Sequence, residues 1–455
     1  MSGAMLAYMH SWFSLLLAVA QPPPMAATVP MPGCPAELRA HLDHGPMTPG
    51  PLHLTSITCQ DFGADLFGAA GPHHAPDGRA VALWQGGLDM PLLIAAVGGP
   101  GRVTIPNRVV FRNFAGLGGG PGGTPDAVAW SGDSRGVFTV RQRIGRPAGW
   151  AFSGLEPVFV GRDGAVRPLP PLTHPAGPLD AILWVGGEGR ALAQFGTRGN
   201  FYRPEHDDPA PTLAMVDAAR GRVLQAVPTP GLPLLHDRTS AGGMRPSGVA
   251  ATLLPDGRIR AIIQFGPWAD YRQRTSPQQA PIMRPAFWLL WDQGRPPEEW
   301  PQPDANPQAM PLAFSPGGET VLVIRSLQPN GIQISDCRRC PPPPSPEPAT
   351  GPVAELVDVA SRRVRWRVPS RATHFWSQTM RPAISPDGRY ALIQLPSDAE
   401  RQWVALIDMR NGRVLQRLSP ALIGNGYPQA GFATDGRSAW LYGSKLFAYS
   451  LPRGR

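Results

Sequence analysis

Ile384-Ser385-Pro386-Asp387-Gly388-Arg389-Tyr390-Ala391-Leu392-Ile393-Gln394, followed by Leu406-Ile407-Asp408-Met409-Arg410-Asn411-Gly412-Arg413-Val414-Leu415, decides the fold. Asp-Gly between two short apolar runs signals a tight hairpin. Gly takes the positive φ such a turn demands, and Asp bonds its own backbone two residues on. The run after the turn has strand length and is bounded by turn residues. The second stretch repeats the device: an apolar strand ends in Asp, a Gly-containing turn follows, and another strand leaves. Two hairpins make four antiparallel strands.

The first turn is written seven times, at Pro76-Asp77-Gly78-Arg79, Gly132-Asp133-Ser134-Arg135, Gly187-Glu188-Gly189-Arg190, Pro255-Asp256-Gly257-Arg258, Pro316-Gly317-Gly318-Glu319, Pro386-Asp387-Gly388-Arg389 and Thr434-Asp435-Gly436-Arg437. Their second positions lie 56, 55, 68, 61, 70 and 48 residues apart. Recurrence at such intervals means one supersecondary unit used repeatedly. The second hairpin recurs at Asp217 and Asp358. No stretch between the turns sustains a 3.6-residue apolar period, so an all-β, seven-bladed β-propeller of four-stranded antiparallel blades is expected over residues 51–455. The last copy is a strand short, and the alternating Leu52-His53-Leu54-Thr55-Ser56-Ile57-Thr58-Cys59 is expected to supply its outer strand and close the ring.

Phe314-Ser315-Pro316-Gly317-Gly318 and Ile384-Ser385-Pro386-Asp387-Gly388-Arg389 resemble the WD40-like propeller repeats of bacterial exported proteins, the TolB-type and YVTN-type repeats among them. The resemblance covers roughly residues 50 to 455 and implies the fold. Such propellers serve as scaffolds, sensors and enzymes alike, so it implies no single activity.

Composition agrees with short strands and many turns: 57 Pro and 52 Gly among 455 residues, with 42% hydrophobic and 16% charged. The formal net charge is +9. Lys445 is the single lysine, so the positive charge is arginine, scattered and often inside the turns, with no dense run. Polyanion binding needs clustered charge, so no specific nucleic-acid partner is expected.

Residues 1–20 read as a signal peptide: the apolar run Trp12 to Ala20 ends in Ala18-Val19-Ala20, a small-x-small cleavage pattern. Residues 21–50 read as a Pro-rich linker. No later apolar run approaches spanning length. A periplasmic or secreted protein is therefore expected. The four cysteines, Cys34, Cys59, Cys337 and Cys340, suit an oxidising compartment. Three pairings are possible, and the local one, Cys34 with Cys59 and Cys337 with Cys340, is favoured as a pair of structural disulfides. Cys337-Arg338-Arg339-Cys340 could also serve redox chemistry, but four prolines follow it where a redox motif opens a helix.

Several residues could carry chemistry. Gly132-Asp133-Ser134-Arg135-Gly136 matches the G-x-S-x-G of a nucleophile elbow but occupies a hairpin slot. Gly116 to Gly123 contains a G-x-G-x-x-G register with no helix after it. His73-His74 near Asp77, and His206-Asp207-Asp208, could ligate a metal but lack supporting spacing. Asp217, Asp358 and Asp408 could line a cation-binding ring; the plainer reading is that they cap their turns. No catalytic residue, metal site or cofactor is assigned. The long units place extra residues at Gly199 to Pro211, Leu232 to Ser247, Pro267 to Pro285 and Pro329 to Pro352. These hold Phe201, Tyr202, Arg203, Trp268, Tyr271 and Arg272, the aromatic and arginine chemistry that anchors interfaces. The expected function is a protein- or envelope-ligand-binding scaffold acting through loops on one rim, its partner another envelope protein or an extracellular ligand. The alternative is a propeller enzyme with a central-channel site, hydrolase, lactonase-like or quinoprotein-like.

Overall fold

The structure, a computed structural model, describes residues 27–30, 50–58, 70–84, 92–96, 101–104, 128–142, 155–196, 212–228, 246–265, 268–270, 282–284, 287–301, 309–325, 351–370, 382–396, 402–418, 429–442 and 446–451. These residues form antiparallel sheets, with no α-helix among them. The chain is an all-β propeller with four-stranded antiparallel blades. Five blades are read straight off the sequence order: Ala129–Trp130 to Val166–Pro168, Leu179–Val185 to Arg222–Pro228, Pro246–Leu253 to Glu298–Pro301, Ala309–Phe314 to Val364–Ser370, and Ala383–Ile384 to Val414–Leu418. A sixth is assembled from both ends of the chain. In it His53–Thr58 lies outside Leu446–Ser450, Ser438–Tyr442 and Gln429–Phe432, with His53 opposite Ser450 and Thr58 opposite Leu446. The expected closing strand is in place.

Six four-stranded blades are therefore present, not the seven that the sequence predicts. The sheet at the first turn copy has five strands: Ala70–His74, Ala80–Trp84, Leu92–Ala96 and Gly101–Thr104, with Ala27–Pro30 added along the outer edge. An outer strand leaves a row of unpaired N–H and C=O groups, and a short extended segment of the same chain satisfies them. That segment lies inside the stretch read as a linker. A further two-stranded ribbon pairs Trp268–Asp270 with Ile282–Arg284.

The strand that leads into each repeated turn is innermost. Ala70–His74 packs against Gln429–Phe432 on one side and Ala129–Trp130 on the other; Pro246–Leu253 packs against Ala309–Phe314, and Ala383–Ile384 against Gln429–Phe432. The repeated turn explains how each strand folds back. In six copies the third residue's N–H donates to the carbonyl three residues before it, as from Gly388 to Ser385 at 2.8 Å and from Gly318 to Ser315 at 2.7 Å. The third residue has positive φ, 68° at Gly388 and 77° at Gly257, which is why glycine recurs there. The Glu188 copy departs: it forms a 3-10 turn over Gly187–Gly189 with Glu188 itself at φ 62°.

Apolar side chains fill the seams between neighbouring sheets. Leu392, Val404, Leu406 and Leu418 meet Phe432, Leu441, Phe447 and Tyr449 across one seam, with Leu52 at its edge. Leu192, Leu213 and Met215 meet Ile259, Ile263, Phe265 and Trp291 across another. Alternation along each strand supplies one face to each seam. All four cysteines, the signal segment and the Gly116 to Gly123 stretch lie outside the described residues. Among the described residues no helix is long and apolar enough to cross a membrane.

Candidate functional site

Strands alternate in direction within every sheet, so the first-to-second and third-to-fourth turns share one end of the ring. The second-to-third connections, and those leading to the next sheet, leave from the other. The turn end is bonded from sheet to sheet. The Asp77 N–H donates to Ser134 Oγ at 3.0 Å, and the Arg162 guanidinium reaches Asp77 Oδ1 at 2.8 Å. Gln225 donates to the Arg295 carbonyl at 2.8 Å and accepts from the Gly294 N–H at 2.7 Å. Arg260 donates to the Gly318 carbonyl at 2.9 Å, and Arg362 to Glu298 at 2.7 Å. The Trp366 indole donates to the Met409 carbonyl at 2.7 Å, and the Thr434 hydroxyl to the Pro76 carbonyl.

The carboxylates of this end are engaged locally. In five of the repeated turns Oδ1 of the Asp (77, 133, 256, 387 or 435) accepts the N–H of the residue two further on. Asp217, Asp358 and Asp408 cap the second hairpins. Asp217 is buried and accepts from the Arg220 N–H and guanidinium at 3.1 and 2.9 Å. Its burial would raise the carboxyl pKa, but those bonds outweigh it and hold it below the ordinary range. The Arg410 side chain does the same for Asp408. At Asp358 the Ser361 N–H, then the Arg365 guanidinium and the Ser361 hydroxyl, lower the value to about 2. Asp217, Asp358 and Asp408 are each bonded within their own hairpin and to a nearby arginine.

Ser134 is a turn residue. It sits at φ 60° where other copies have glycine, is buried, and its hydroxyl accepts from the neighbouring sheet. No strand-turn-helix surrounds it, so the elbow geometry is absent at this position. The serines that precede the turns were not singled out by the sequence reading and brace three of them. Ser131 and Ser385 donate to Asp133 and Asp387 at 2.6 Å, and Ser385 Oγ accepts the Tyr390 N–H at 2.8 Å. In the third, Ser315 Oγ accepts the Thr320 N–H at 3.1 Å. Their signal is the recurrence of Ser before the turn.

The histidines do not join Asp77. The His73 carbonyl accepts the Trp130 indole at 2.6 Å, and His74 stacks on Trp440. Among the described residues no group of three His, Cys, Asp or Glu side chains gathers. His206, Asp207 and Asp208 lie outside the described residues, as do Phe201, Tyr202, Arg203, Tyr271 and Arg272. Trp268 is described: it opens the ribbon strand Trp268–Asp270, opposite Arg284. The ribbon lies between the second and third strands of its blade, so it departs from the end opposite the turns. All four long insertions occupy second-to-third or sheet-to-sheet connections and depart from that same end.

No family model matches the chain, and no curated protein matches it. Solved structures that it is similar to include hydrazine synthase of Kuenenia stuttgartiensis, at 13% identity and TM-score 0.48, covering 86% of this chain and 97% of that one. The C-terminal WD40 domain of Sif2 is 11% identical at TM-score 0.41, covering 89% and 99%. TolB from Acinetobacter baumannii is 12% identical at TM-score 0.35, covering 78% and 64%. At these values the likeness carries no argument about function.

Proposed function

We propose that this chain is an exported, non-catalytic binding scaffold, periplasmic or secreted, whose ring engages an envelope protein or an extracellular ligand through the end opposite the Asp-Gly turns. The observation that supports this reading is the division between the two ends. Short turns bonded sheet to sheet occupy one, and all four long insertions leave from the other. A rigid scaffold that positions variable connections is the arrangement on which recognition surfaces are built. Phe201, Tyr202, Arg203, Trp268, Tyr271 and Arg272 belong to those connections and are the proposed contacts. The cysteines form the two local disulfides.

Replacing 197–211 and 271–281 with short Gly-Ser linkers tests the reading. Binding of the purified protein to envelope fractions is expected to fall at least tenfold with the melting temperature unchanged, while Arg135→Gln on the turn end leaves binding intact. Binding indifferent to both replacements, or native protein that carries a quinone, iron or calcium and turns over a substrate, would favour the enzyme reading instead.

A further inference from the structure

The last blade meets the first sheet at a seam with an unusual polar contact. His74 ends the inner strand Ala70–His74, opposite Val81 in register. Its ring stacks on Trp440 with centroids 5.0 Å apart and planes at 23°. Both imidazole nitrogens and the Trp440 indole nitrogen are sealed from solvent, and none has a hydrogen-bond partner among the described residues. Val81 and Ala448, which lie beside His74 and Trp440 across their strand pairs, are buried and apolar.

The charged surroundings are sparse. Strands Ala80–Trp84, Leu92–Ala96, Ala129–Trp130, Gln429–Phe432, Ser438–Tyr442 and Leu446–Ser450 contain no Asp, Glu, Lys or Arg. Their titratable groups are Tyr442 and Tyr449, and His73 precedes His74 in its own strand. The nearest turns carry Asp77, Arg79, Asp435 and Arg437. Asp77 is bonded to Arg162 and the Arg79 N–H, and Asp435 to the Arg437 N–H. The His74 ring nitrogens have no carboxylate partner among the described residues.

We propose that this seam is an acid-sensitive closure: neutral His74 stacked on Trp440 keeps the last blade and the first sheet together, and uptake of a proton by His74 separates them. His74 as a whole is only half-buried, but a charge on its ring falls on nitrogens that are sealed from solvent and have no hydrogen-bond acceptor, so it is accommodated by opening. Burial, with the neighbouring His73, holds the His74 pKa well below its ordinary value. An opened seam exposes an imidazole that titrates near ~6.5. The open state therefore binds more protons. Closure is fully favoured above about pH 6.5 and weakens as pH falls below it, with the opening constant rising up to about tenfold per pH unit. The mechanism is the histidine's ability to change charge within this range.

Hydrogen exchange on the full chain tests it, read at the Ser438–Tyr442 and Ala80–Trp84 amides at pH 7.5 and 5.5 after correction for intrinsic rates. The expected result is an opening constant up to about tenfold larger at pH 5.5 in the natural protein, no change in His74→Phe, and no change at Ile259–Phe265 in either. Seam amides indifferent to acid, or an acid response that persists in His74→Phe, would overturn the proposal. If His74→Phe does not fold, the imidazole titration in the natural protein decides. Protonation coincident with seam exchange supports it, and ordinary titration near ~6.5 with an unchanged seam overturns it.

Discussion

Gln416 and Leu52, 364 residues apart, exchange two hydrogen bonds: the Leu52 N–H donates to Gln416 Oε1 at 2.7 Å, and Gln416 Nε2 donates to the Leu52 carbonyl at 3.1 Å. The carboxamide serves as a strand neighbour for one residue and holds the chain as it enters the closing strand His53–Thr58. Both residues are buried. Gln416→Leu keeps the volume and strands both backbone groups. Each costs about 1–3 kcal/mol when left unpaired, so a fall in unfolding free energy of that order or more is expected in urea titrations. Gly50→Ala should weaken the same clasp, because an added Cβ would stand 2.6 Å from the Gln416 side chain.

Deleting residues 53–58 should expose the Leu446–Ser450 edge without removing the last blade's other strands. Open edges of this kind pair with other chains. Concentration-dependent association in sedimentation velocity, absent from the full chain, is the expected readout.

Gly412 and Gly257 both have positive φ, 73° and 77°, but different surroundings. A Cβ on Gly412 would meet the Trp366 ring at 2.7 Å, whereas one on Gly257 meets nothing within 4 Å. Gly257→Ala should cost only the left-handed penalty, about 1–2 kcal/mol. Gly412→Ala should cost about 1–3 kcal/mol more, since Trp366 is pinned by its bond to Met409 and cannot yield freely. Thermal unfolding of the two variants side by side measures the difference.

Asp358 makes acid stability predictable. Its folded pKa is near 2 and its ordinary value is 3.8. A depressed carboxyl stabilises the fold above its unfolded pKa, and that contribution is lost as pH falls from about 4 towards 2. Asp358→Asn should flatten the slope of stability against pH in that window and leave the slope near pH 7 to 8 unchanged, as followed by denaturant midpoints.

Ser134 should behave as a turn residue. Ser134→Ala loses the bond to the Asp77 N–H while keeping the strained φ, and should destabilise by about 1 kcal/mol. Ser134→Gly relieves the strain and should lie closer to the natural protein. Neither change should alter any hydrolytic activity, and a fluorophosphonate probe should not label the chain at this position.

Much of this architecture is legible in one dimension because it is local. Asp387 and Gly388 make their turn with residues two or three positions away, so the hairpin is written where it forms. The caps at Asp217, Asp358 and Asp408 are legible for the same reason. The proposed contacts are less so: Trp268 opens a ribbon no pattern announced, and the remaining candidates lie outside the described residues.

By itself the sequence determined the repeated turn, the strands on either side of it, the all-β class and the use of His53–Thr58 to close the last blade. Each follows from residue conformational preference and from alternation over a few positions. Only the tertiary structure decided that the first sheet takes a fifth strand, that Arg162 spans to Asp77 and Gln416 to Leu52, and that His74 stacks on Trp440. It also decided that all four long insertions leave one end of the ring. Those outcomes depend on which surfaces meet, and partners tens to hundreds of residues apart leave no periodic trace in the chain.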